Sequence, residues 1–431
     1  MVQKSSSWDI MQNKQNLKQR FEELRGIQAA QHHQTSFIKF YPTPVVNFNL
    51  GDIATKDMAD ASQSTLEELN QTLQAGVEAK FILFPKTPDG EISYQLDLKQ
   101  KTEVTIEPTR DVIQITVCET KNGTLEVSFI PQIPGSYNIE AKINGDTLAN
   151  CPFTVEVKER ELTVGSELDL KLLEGDRIGI LWGIAVNTTR KIVVTDFDKD
   201  CVYIFDKEGK CLRKLGSKGN NAVIFNGPIG VTSFSDDEIL IADTANCRMQ
   251  QVNIQTGTIV KAFGKFGVGK GEFSAPWDVF LDEESRIVLT EFGANRIQVM
   301  SHEWETISIF GNSGPEKLNR PMSCVSCQKM FFVWDTDNHC IKIFHQTGTF
   351  LHKFGKKGNQ DGQLNKPYAL LIDSSNNLLV CDTINNRVQQ FSLDGRFTGK
   401  SITHIQSPRG IAATPDGRIL VTTPKKVFVL K

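Results

Sequence analysis

Residues 239–248 read ILIADTANCR, and this stretch decides the fold because it returns as LLVCDTINNR at residues 378–387. Each copy is a short apolar run that ends in an acidic residue, followed by Thr, a turn containing Asn, and Arg. A run of this kind bounded by turn residues is typical of a β-strand. Its return at a distance indicates a repeat architecture, in which each repeat is one packing unit.

The same unit can be followed through the C-terminal part of the chain. Phe263-Gly264, Phe310-Gly311 and Phe354-Gly355 recur at spacings of 47 and 44 residues, and Leu215-Gly216 precedes the first of them by 48. Four short strands in such a period match one blade of a β-propeller. We therefore predict six blades over residues 161–431, which start near Trp182, Ile229, Trp277, Met322, Tyr368 and Arg409.

The last predicted blade lacks its outer strand, since the chain ends soon after Val427-Phe428-Val429-Leu430. The run at residues 168–173 lies ahead of the first blade and alternates apolar and polar residues. Alternation with period two predicts a strand. We expect residues 168–173 to complete the last blade, which would close the ring and remove an open sheet edge.

The part of the chain ahead of the propeller divides into three. Residues 64–158 alternate in short runs between turn signals such as Pro134-Gly135, which predicts a small immunoglobulin-like β-sandwich. Ser64 and Glu67 have the spacing of a helix capping box, so a short helix at this point is one of two alternatives that the sequence leaves open. Residues 1–40 carry a brief heptad pattern that predicts an N-terminal helix, the tail of a longer coiled coil, and residues 41–63 are predicted as a linker.

Composition indicates an ordinary globular protein. Of the 431 residues 39% are hydrophobic and 23% are charged, and the net charge is −3. The nine cysteines form no disulfide framework, and the first residues lack the apolar core of a signal peptide. No apolar stretch reaches membrane-spanning length. These features predict a cytoplasmic protein that does not enter membranes.

These motifs resemble those of the tripartite-motif (TRIM) proteins with NHL repeats. The NHL pattern of apolar strand, acid, Thr, Asn and Arg is carried by residues 239–248 and 378–387, and residues 131–157 look like the end of a filamin-type repeat. The family order is RING, B-boxes, coiled coil, filamin repeat and NHL propeller. The resemblance therefore implies an all-β chain, in which a filamin-type sandwich precedes a six-bladed NHL propeller.

The sequence also departs from the family. No Cys/His set with zinc-ligand spacing precedes the heptad pattern, so the RING and B-boxes are not in this sequence. The family's RING-dependent E3 ubiquitin ligase activity is therefore not predicted for this chain itself. Cys201 and Cys340 stand where two of the blades would have the family's Arg.

The sequence signals for catalytic and metal sites are weak. Cys324, Cys327, His339 and Cys340 suggest zinc, but two cysteines on one strand give no closed set of four ligands. Residues 267–271 mimic a phosphate loop without the helix that such a loop needs. No histidine follows a blade-start proline, which argues against a metal-dependent lyase or hydrolase. We predict no cofactor, no metal and no catalytic residues.

A binding face is better supported. The six blade-start residues should ring the mouth of the central channel, on the face that also carries the basic loops between blades. Aromatic rings among cations suit single-stranded RNA, and such a face also suits a protein. For Trp182 and Trp277, plugging the channel is an equally open interpretation. The predicted binding residues are Trp182, Trp277, Tyr368, Arg409, Lys265, Lys270, Arg320, Lys356, Lys357 and Lys366.

Three functions stay open from the sequence. The first is a recognition protein whose propeller binds a protein or single-stranded RNA, and which could form a homodimer through a longer coiled coil. The second is the substrate-binding portion of a RING-type ubiquitin ligase. The third is a propeller hydrolase or lyase, which would need metal ligands at the channel.

Overall fold

The computed structural model describes residues 58–68, 72–216 and 225–430. The first eight strands form the N-terminal sandwich. They are β1 (Thr65–Glu68), β2 (Ala79–Phe84), β3 (Thr102–Glu107), β4 (Val112–Glu119), β5 (Leu125–Pro131), β6 (Gly135–Ile143), β7 (Asp146–Thr147) and β8 (Phe153–Val157). One sheet has the order β1-β2-β5-β4, and in the other β6 pairs with β3, β7 and β8.

The two sheets of the sandwich enclose one apolar core. Phe81, Phe129 and Tyr137 are almost fully buried in it, and the rings of Phe81 and Phe129 stack with centroids 5.8 Å apart. Buried and partly exposed residues alternate along β2, as a sheet with one face on a core requires. The alternation of apolar and polar residues in the sequence therefore explains why one face of this sheet packs on the core.

Two boundaries at the start of the sandwich differ from the sequence prediction. Thr65–Glu68 is strand β1 and not the start of a helix, because Leu66 pairs with Leu83 and is buried in the core. The side chain of Asn150 also accepts from the amide of Leu66 and donates to its carbonyl. Ala59 and Ala61 lie in the same core, so the last residues assigned to the linker are part of the domain.

The C-terminal region consists of six four-stranded antiparallel sheets. Five of them are continuous in the chain. Sheet 1 has β10 (Leu181–Val186), β11 (Ile192–Asp196), β12 (Cys201–Phe205) and β13 (Cys211–Leu215); sheet 2 has β14 (Pro228–Ser233), β15 (Glu238–Asp243), β16 (Arg248–Asn253) and β17 (Ile259–Phe263); sheet 3 has β18 (Pro276–Leu281), β19 (Ile287–Glu291), β20 (Arg296–Met300) and β21 (Thr306–Phe310); sheet 4 has β22 (Pro321–Cys327), β23 (Met330–Asp335), β24 (Cys340–His345) and β25 (Phe350–Phe354); sheet 5 has β26 (Leu370–Ile372), β27 (Asn377–Asp382), β28 (Arg387–Ser392) and β29 (Phe397–Thr403).

Sheet 6 closes the ring with a strand from upstream. It contains β30 (Ile411–Ala413), β31 (Ile419–Thr422), β32 (Val427–Leu430) and β9 (Val164–Leu168). The innermost strands of successive sheets contact one another, and β30 contacts β10, so the sheets surround a central channel. Sheet 6 thus has no exposed edge at the terminal strand β32.

The position of the closing strand corrects the sequence prediction. The strand is Val164–Leu168 rather than residues 168–173, and Leu168 is the residue that the two share. Leu170 and Leu172 instead pack on the core between sheets 1 and 6, while the backbone of Lys171 bridges to Lys210. The alternation at 168–173 therefore reflects burial of one side of an extended segment and not pairing in a ladder.

The described residues form few helical turns, and all of them are short 3₁₀ turns. They are Leu98–Lys101, Thr109–Asp111, Thr244–Asn246, Thr336–Asn338 and Thr383–Asn385. In the described ranges no helix is long and apolar enough to cross a membrane. The predicted N-terminal helix and coiled-coil tail, residues 1–40, lie outside the described residues.

Candidate binding face of the propeller

One face of the propeller is built from the loops that join each sheet to the next and from the turns between second and third strands. We call it the connector face, and we call the opposite face, with the remaining hairpins, the hairpin face. In sheets 1 to 5 the loop on the connector face is held by an acidic residue at the end of the second strand, whereas Thr422 takes that position in sheet 6. Asp382 accepts from the amide of Asn365 (2.7 Å), from Asn385 Nδ2 (2.8 Å) and from Arg387 Nε (2.9 Å).

The Arg of the repeat carries this network into the loop. Arg387 Nη2 donates to the carbonyl oxygens of Gln360 (2.7 Å) and Gln363 (2.9 Å). In sheet 3 the corresponding pair is Arg296 and Glu291, at 2.6 Å, and both side chains are almost fully buried. Hydrogen bonds to charged groups are stronger than neutral ones, so in sheets 3 and 5 the loop is fixed in place by the repeat motif.

In sheets 1 and 4 the connector loops are anchored without an Arg at that position. In sheet 4 Cys340 takes the Arg position, and Lys342 supplies the cation: its Nζ lies 2.9 Å from Asp335 Oδ2 and donates to the carbonyl oxygen of Lys317. In sheet 1 Asp196 accepts from the backbone amides of Gly179 (2.7 Å) and Ile180 (2.9 Å). The departures from the family pattern therefore leave the loops anchored.

The six blade-start residues meet at the mouth of the channel, where they line a cavity of about 420 Å³ that follows the innermost strands. Trp182 is at the centre of the group. The Tyr368 ring stacks on it with centroids 5.3 Å apart, Trp277 meets it edge-on at 5.6 Å, and the Arg409 guanidinium lies 4.1 Å from its centroid. Trp182, Trp277 and Tyr368 come from alternate sheets, so they touch across the channel and narrow its mouth.

The aromatic group extends further than the sequence indicated. Phe197 packs on Trp182 with centroids 5.6 Å apart, and Phe292 stacks on Trp277 at 4.8 Å. The Arg320 guanidinium in turn lies 5.4 Å from the centroid of Phe292. We call the set Phe197, Trp182, Tyr368, Trp277 and Phe292 the aromatic strip. A local signal for the missed residues exists, because Phe197 and Phe292 occupy the position after the acid where the NHL motif has Thr.

The predicted basic residues are exposed in the loops around this strip. Lys265 pairs with Glu272 at 3.3 Å, and Arg320 lies 3.7 Å from Asp337. Four more lysines have no ion pair within the described part of the chain: Lys270, Lys356, Lys357 and Lys366. The structure thus brings all of the predicted residues to one face, with several positive charges left unneutralised.

The loop between sheets 2 and 3 adds an apolar feature that its sequence pattern does not indicate. Phe266 is 77% exposed and Val268 is 70% exposed, and they lie between Lys265 and Lys270. Phe266 bridges to Phe273 through the backbone, so the loop has a defined shape. Large apolar side chains that are this exposed beside a cationic surface are a feature of interaction sites.

Burial shifts the pKa values of two ionisable residues at the channel. Burial lowers the pKa of the Arg409 guanidinium, and the nearby Tyr368 hydroxyl opposes that change. Below the mouth, burial raises the pKa of Asp278 to about 6, although its carboxylate accepts from Ser323 Oγ at 2.8 Å. Neither residue has a salt-bridge partner among the described residues.

On the opposite side, the sandwich contacts the hairpins of sheets 1, 5 and 6. Arg190 Nη2 lies 3.4 Å from Glu78, and Arg190 Nη1 lies 3.8 Å from Asp416. The amide of Glu78 donates to the carbonyl oxygen of Asp416. A Cβ on Gly417, whose φ is +86°, would collide with the carbonyl oxygen of Gly76. Part of the hairpin face is therefore already used inside the chain.

The competing chemical interpretations find no support in the geometry. Cys324 and Cys327 are buried, and burial raises both of their pKa values, as expected for packed thiols. Among the described residues no group of three or more His, Cys, Asp or Glu side chains could hold a metal ion. Residues 267–271 run between β17 and β18 with no helix after them.

Comparison with known proteins agrees with the two domains. The Filamin/ABP280 repeat family matches residues 58–154, and the NHL repeat family matches residues 225–252. A structural genomics protein of unknown function from Bacteroides thetaiotaomicron superposes with a TM-score of 0.56 at 15% identity, over 86% of this chain and 99% of that one. At that identity the likeness concerns the fold alone.

Two curated relatives carry the family assignment. Protein lin-41 of Caenorhabditis elegans is 27% identical over 34% of this chain and 13% of its own length. The E3 ubiquitin-protein ligase TRIM71 of Xenopus tropicalis is 31% identical over 36% of this chain and 20% of its own length. The matches therefore span a small part of these relatives. A filamin repeat followed by an NHL repeat, together with these relatives, supports the assignment of this chain as similar to the C-terminal region of TRIM-NHL proteins.

Proposed function

We propose that this chain is a partner-recognition protein whose propeller binds another protein on the connector face. The sandwich holds the propeller from the hairpin side and leaves the connector face to the partner. TRIM71 is named an E3 ubiquitin-protein ligase, which supports the idea that the captured protein is a ubiquitination substrate. In this proposal the chain contributes binding and positioning, and it needs no cofactor.

The observation that carries the proposal is the combination of the aromatic strip with the exposed Phe266 and Val268. Trp, Tyr and Arg dominate the energetics of protein interfaces, and they do so from well-packed central positions with a polar rim around them. Here the packed centre is Trp182 with Tyr368 and Arg409, and the rim is basic. A partner with exposed apolar side chains beside acidic ones would complement this face.

The contacts within the aromatic strip favour a protein over RNA as the main partner. A nucleobase needs an open ring face for stacking. The Trp182 ring already has the Tyr368 ring stacked on it and the Arg409 guanidinium over it, and Trp277 already stacks with Phe292. An RNA base would have to displace these contacts, whereas a protein can bind against the assembled surface.

Single-stranded RNA is the second candidate, supported by Lys356, Lys357 and Lys366, which lie on the same face as Tyr368 and have no ion pair among the described residues. If RNA binds there, Tyr368→Ala should cost about 1–3 kcal/mol of binding free energy. Each Lys→Ala change should reduce the slope of log affinity against log salt by about 0.7. Arg409 would then contact a phosphate or stack on a base.

Capture from cell extract with the intact chain tests the proposal. The double variant Lys356→Glu/Lys357→Glu reverses charge on the connector face, and Lys207→Glu is the control, an exposed lysine in a hairpin of sheet 1. Proteins that crosslink to wild type and to the control, but not to the double variant, support the proposal when capture survives ribonuclease. Capture that ribonuclease abolishes would instead support RNA, and equal capture by all three proteins would refute a site on this face.

Cytoplasmic location and dimerisation stay predictions from the sequence. Size measurement of the intact chain would test the dimer, which we expect to depend on residues 1–40. If removal of residues 1–40 left a dimer intact, the coiled-coil interpretation of that segment would be wrong.

A further inference from the structure

A small cavity lies where the sandwich meets the hairpins of sheets 5 and 6. Its volume is about 130 Å³, several times the roughly 30 Å³ that one water molecule occupies in the liquid. The sandwich contributes Gln114 to its lining, the segment after β8 contributes Arg160, and the propeller contributes Asp373, Ser374 and Thr414. The cavity is distinct from the connector face, which lies on the other side of the propeller.

Arg160 is the unusual residue of this cavity. Its side chain is only 4% exposed, yet Nε and Nη2 have no hydrogen-bond acceptor. A guanidinium stays charged in proteins, and a buried charge without a partner is costly. Burial lowers the pKa of Arg160, the direction expected for a cation that has lost water without gaining an equal partner.

The nearest acid does not pair with Arg160. Asp373 acts on Arg160 electrostatically, but no ion pair within 4.0 Å joins them. The Asp373 carboxylate is used by its own hairpin, since Oδ1 accepts from the amides of Ser375 (2.9 Å) and Asn377 (2.8 Å). Asp373 Oδ2 accepts from the side-chain amides of Asn377 and Gln390. The guanidinium donors of Arg160 are therefore left for another acceptor.

The backbone of Arg160 is held firmly even though its side chain lacks partners. Lys400 Nζ, on β29, donates to the carbonyl oxygen of Arg160 at 2.9 Å and pairs with Glu159 at 3.3 Å. Nε and Nη2 lie on one edge of the guanidinium and donate in parallel, the geometry that grips two oxygens of an oxyanion. Both are enclosed, so a turn of the terminal side-chain torsions is needed to present this edge to the cavity.

We propose that this cavity is a binding site for a small inorganic oxyanion, held by Arg160 between the sandwich and the propeller. The bound anion accepts from the Nε–Nη2 edge, and the side-chain amide of Gln114 is a further donor of the lining, whereas the Ser374 hydroxyl donates to the carbonyl oxygen of Gly76 at 3.4 Å. Because the lining comes from both domains, occupancy stabilises their joint rather than either domain alone.

Calorimetric titration of the intact chain with inorganic phosphate, at constant ionic strength set with chloride, tests this site. Wild type should bind phosphate, and its unfolding midpoint should rise by about 2–4 °C at roughly ten times the dissociation constant. Arg160→Met should weaken binding by about tenfold or more, and Arg160→Lys by less, since a point charge replaces a fork. Lys158→Met, which removes an exposed cation two residues away, should bind phosphate like wild type.

Equal phosphate binding by wild type and Arg160→Met would mean an adventitious ion only and would overturn the proposal. If phosphate does not bind to wild type, the cavity holds only water and the proposal is wrong. If Arg160→Met fails to fold, crystals of wild type soaked in selenate test the site without the variant. An anomalous peak within hydrogen-bond distance of the Arg160 guanidinium supports the site, and water density alone at that position refutes it.

Discussion

The two faces of the propeller are built from the same repeats but differ in what holds them and in what they display. Loops on the connector face are anchored by buried ion pairs such as Glu291–Arg296, and they present the aromatic strip and exposed lysines. Hairpins on the opposite face are short turns, and those of sheets 1, 5 and 6 contact the sandwich through residues such as Arg190 and Asp416. One face is thus partly used for assembly of the chain, and the other is the face that we propose binds a partner.

The difference between the faces indicates that the NHL motif shapes the loops of the connector face. Its acid is buried, and its Arg is largely buried at Arg296 and Arg387 but 31% exposed at Arg248. Acid and Arg fix loops in which Phe266, Val268 and Lys270 are exposed. Motif residues therefore report the fold, and we propose that residues between the motifs decide recognition.

The largest effect should come from breaking a buried anchor. Arg296→Met leaves Glu291 in the interior without its cation and removes the hydrogen bonds from Arg296 to the carbonyl oxygens of Gly269 and Glu272. We expect a loss of about 3–5 kcal/mol in the free energy of unfolding, measured by denaturant titration. Arg396→Met, which removes an exposed pair with Asp394 on the hairpin face, should change stability little. Similar losses in both variants would show that the two faces are not held differently.

A smaller effect concerns Asp278, which lies in the channel between the faces. Its folded pKa, raised by burial to about 6, exceeds the ordinary aspartate value of 3.8, so the folded state binds the proton more tightly. Its contribution to stability is therefore present at low pH and is lost as pH rises from about 4 to about 6. We expect the stability of Asp278→Asn, relative to wild type, to rise by about 1–3 kcal/mol over that window.

Asp394 provides a control of opposite sign for the pH measurement. Hydrogen bonds from Ser392 and the charge of Arg396 hold the pKa of Asp394 below its usual value. Its contribution is present at neutral pH and is lost as pH falls, so Asp394→Asn should become relatively less stable as pH rises. If Asp278→Asn shows the same sign as Asp394→Asn, the assignment of a raised pKa at Asp278 is wrong.

A still smaller effect should follow from loosening the joint on the hairpin side. Glu78→Gln removes the charge that faces Arg190 at 3.4 Å, and we expect a loss of about 0.5–1.5 kcal/mol. Hydrogen exchange should quicken at the amide of Glu78 and around Asp416. Glu126→Gln is the control, because Glu126 pairs with Lys80 inside the sandwich and not with the propeller. Unchanged exchange in Glu78→Gln would mean that this contact does not hold the domains together.

Much of the fold could be predicted because its signals are local. Strand, acid, turn and Arg recur within each repeat, and the alternation in residues 64–158 marks strands that face a core. Alternation in the sequence reports burial of one side of a segment, whichever partner covers it, and residues 168–173 bury Leu170 and Leu172 in this way. Strand β9 is exposed along most of its length and has no alternating burial, so only its ladder with Val427 to Leu430 identifies it as the closing strand.

The candidate site was predicted in part for the same reason. Equivalent positions in the repeats placed Trp182, Trp277, Tyr368 and Arg409 at one mouth, since symmetry maps sequence position onto place in the ring. Their stacking across the channel could not be predicted, because it joins sheets that are far apart in the chain. Phe266 and Val268 were missed since loop exposure follows from the path of the whole loop and has no periodic signal.

The central claim is that the connector face binds a protein through its exposed apolar loop and aromatic strip. The most direct measurement is the affinity of the captured partner for Phe266→Ser/Val268→Ser, compared with Leu351→Ser on the outer strand of sheet 4. All of these side chains are exposed, so both proteins should keep the stability of wild type within about 0.5 kcal/mol. The account predicts that the loop variant loses about tenfold or more in affinity while Leu351→Ser binds like wild type. Equal affinities of the two variants would contradict it.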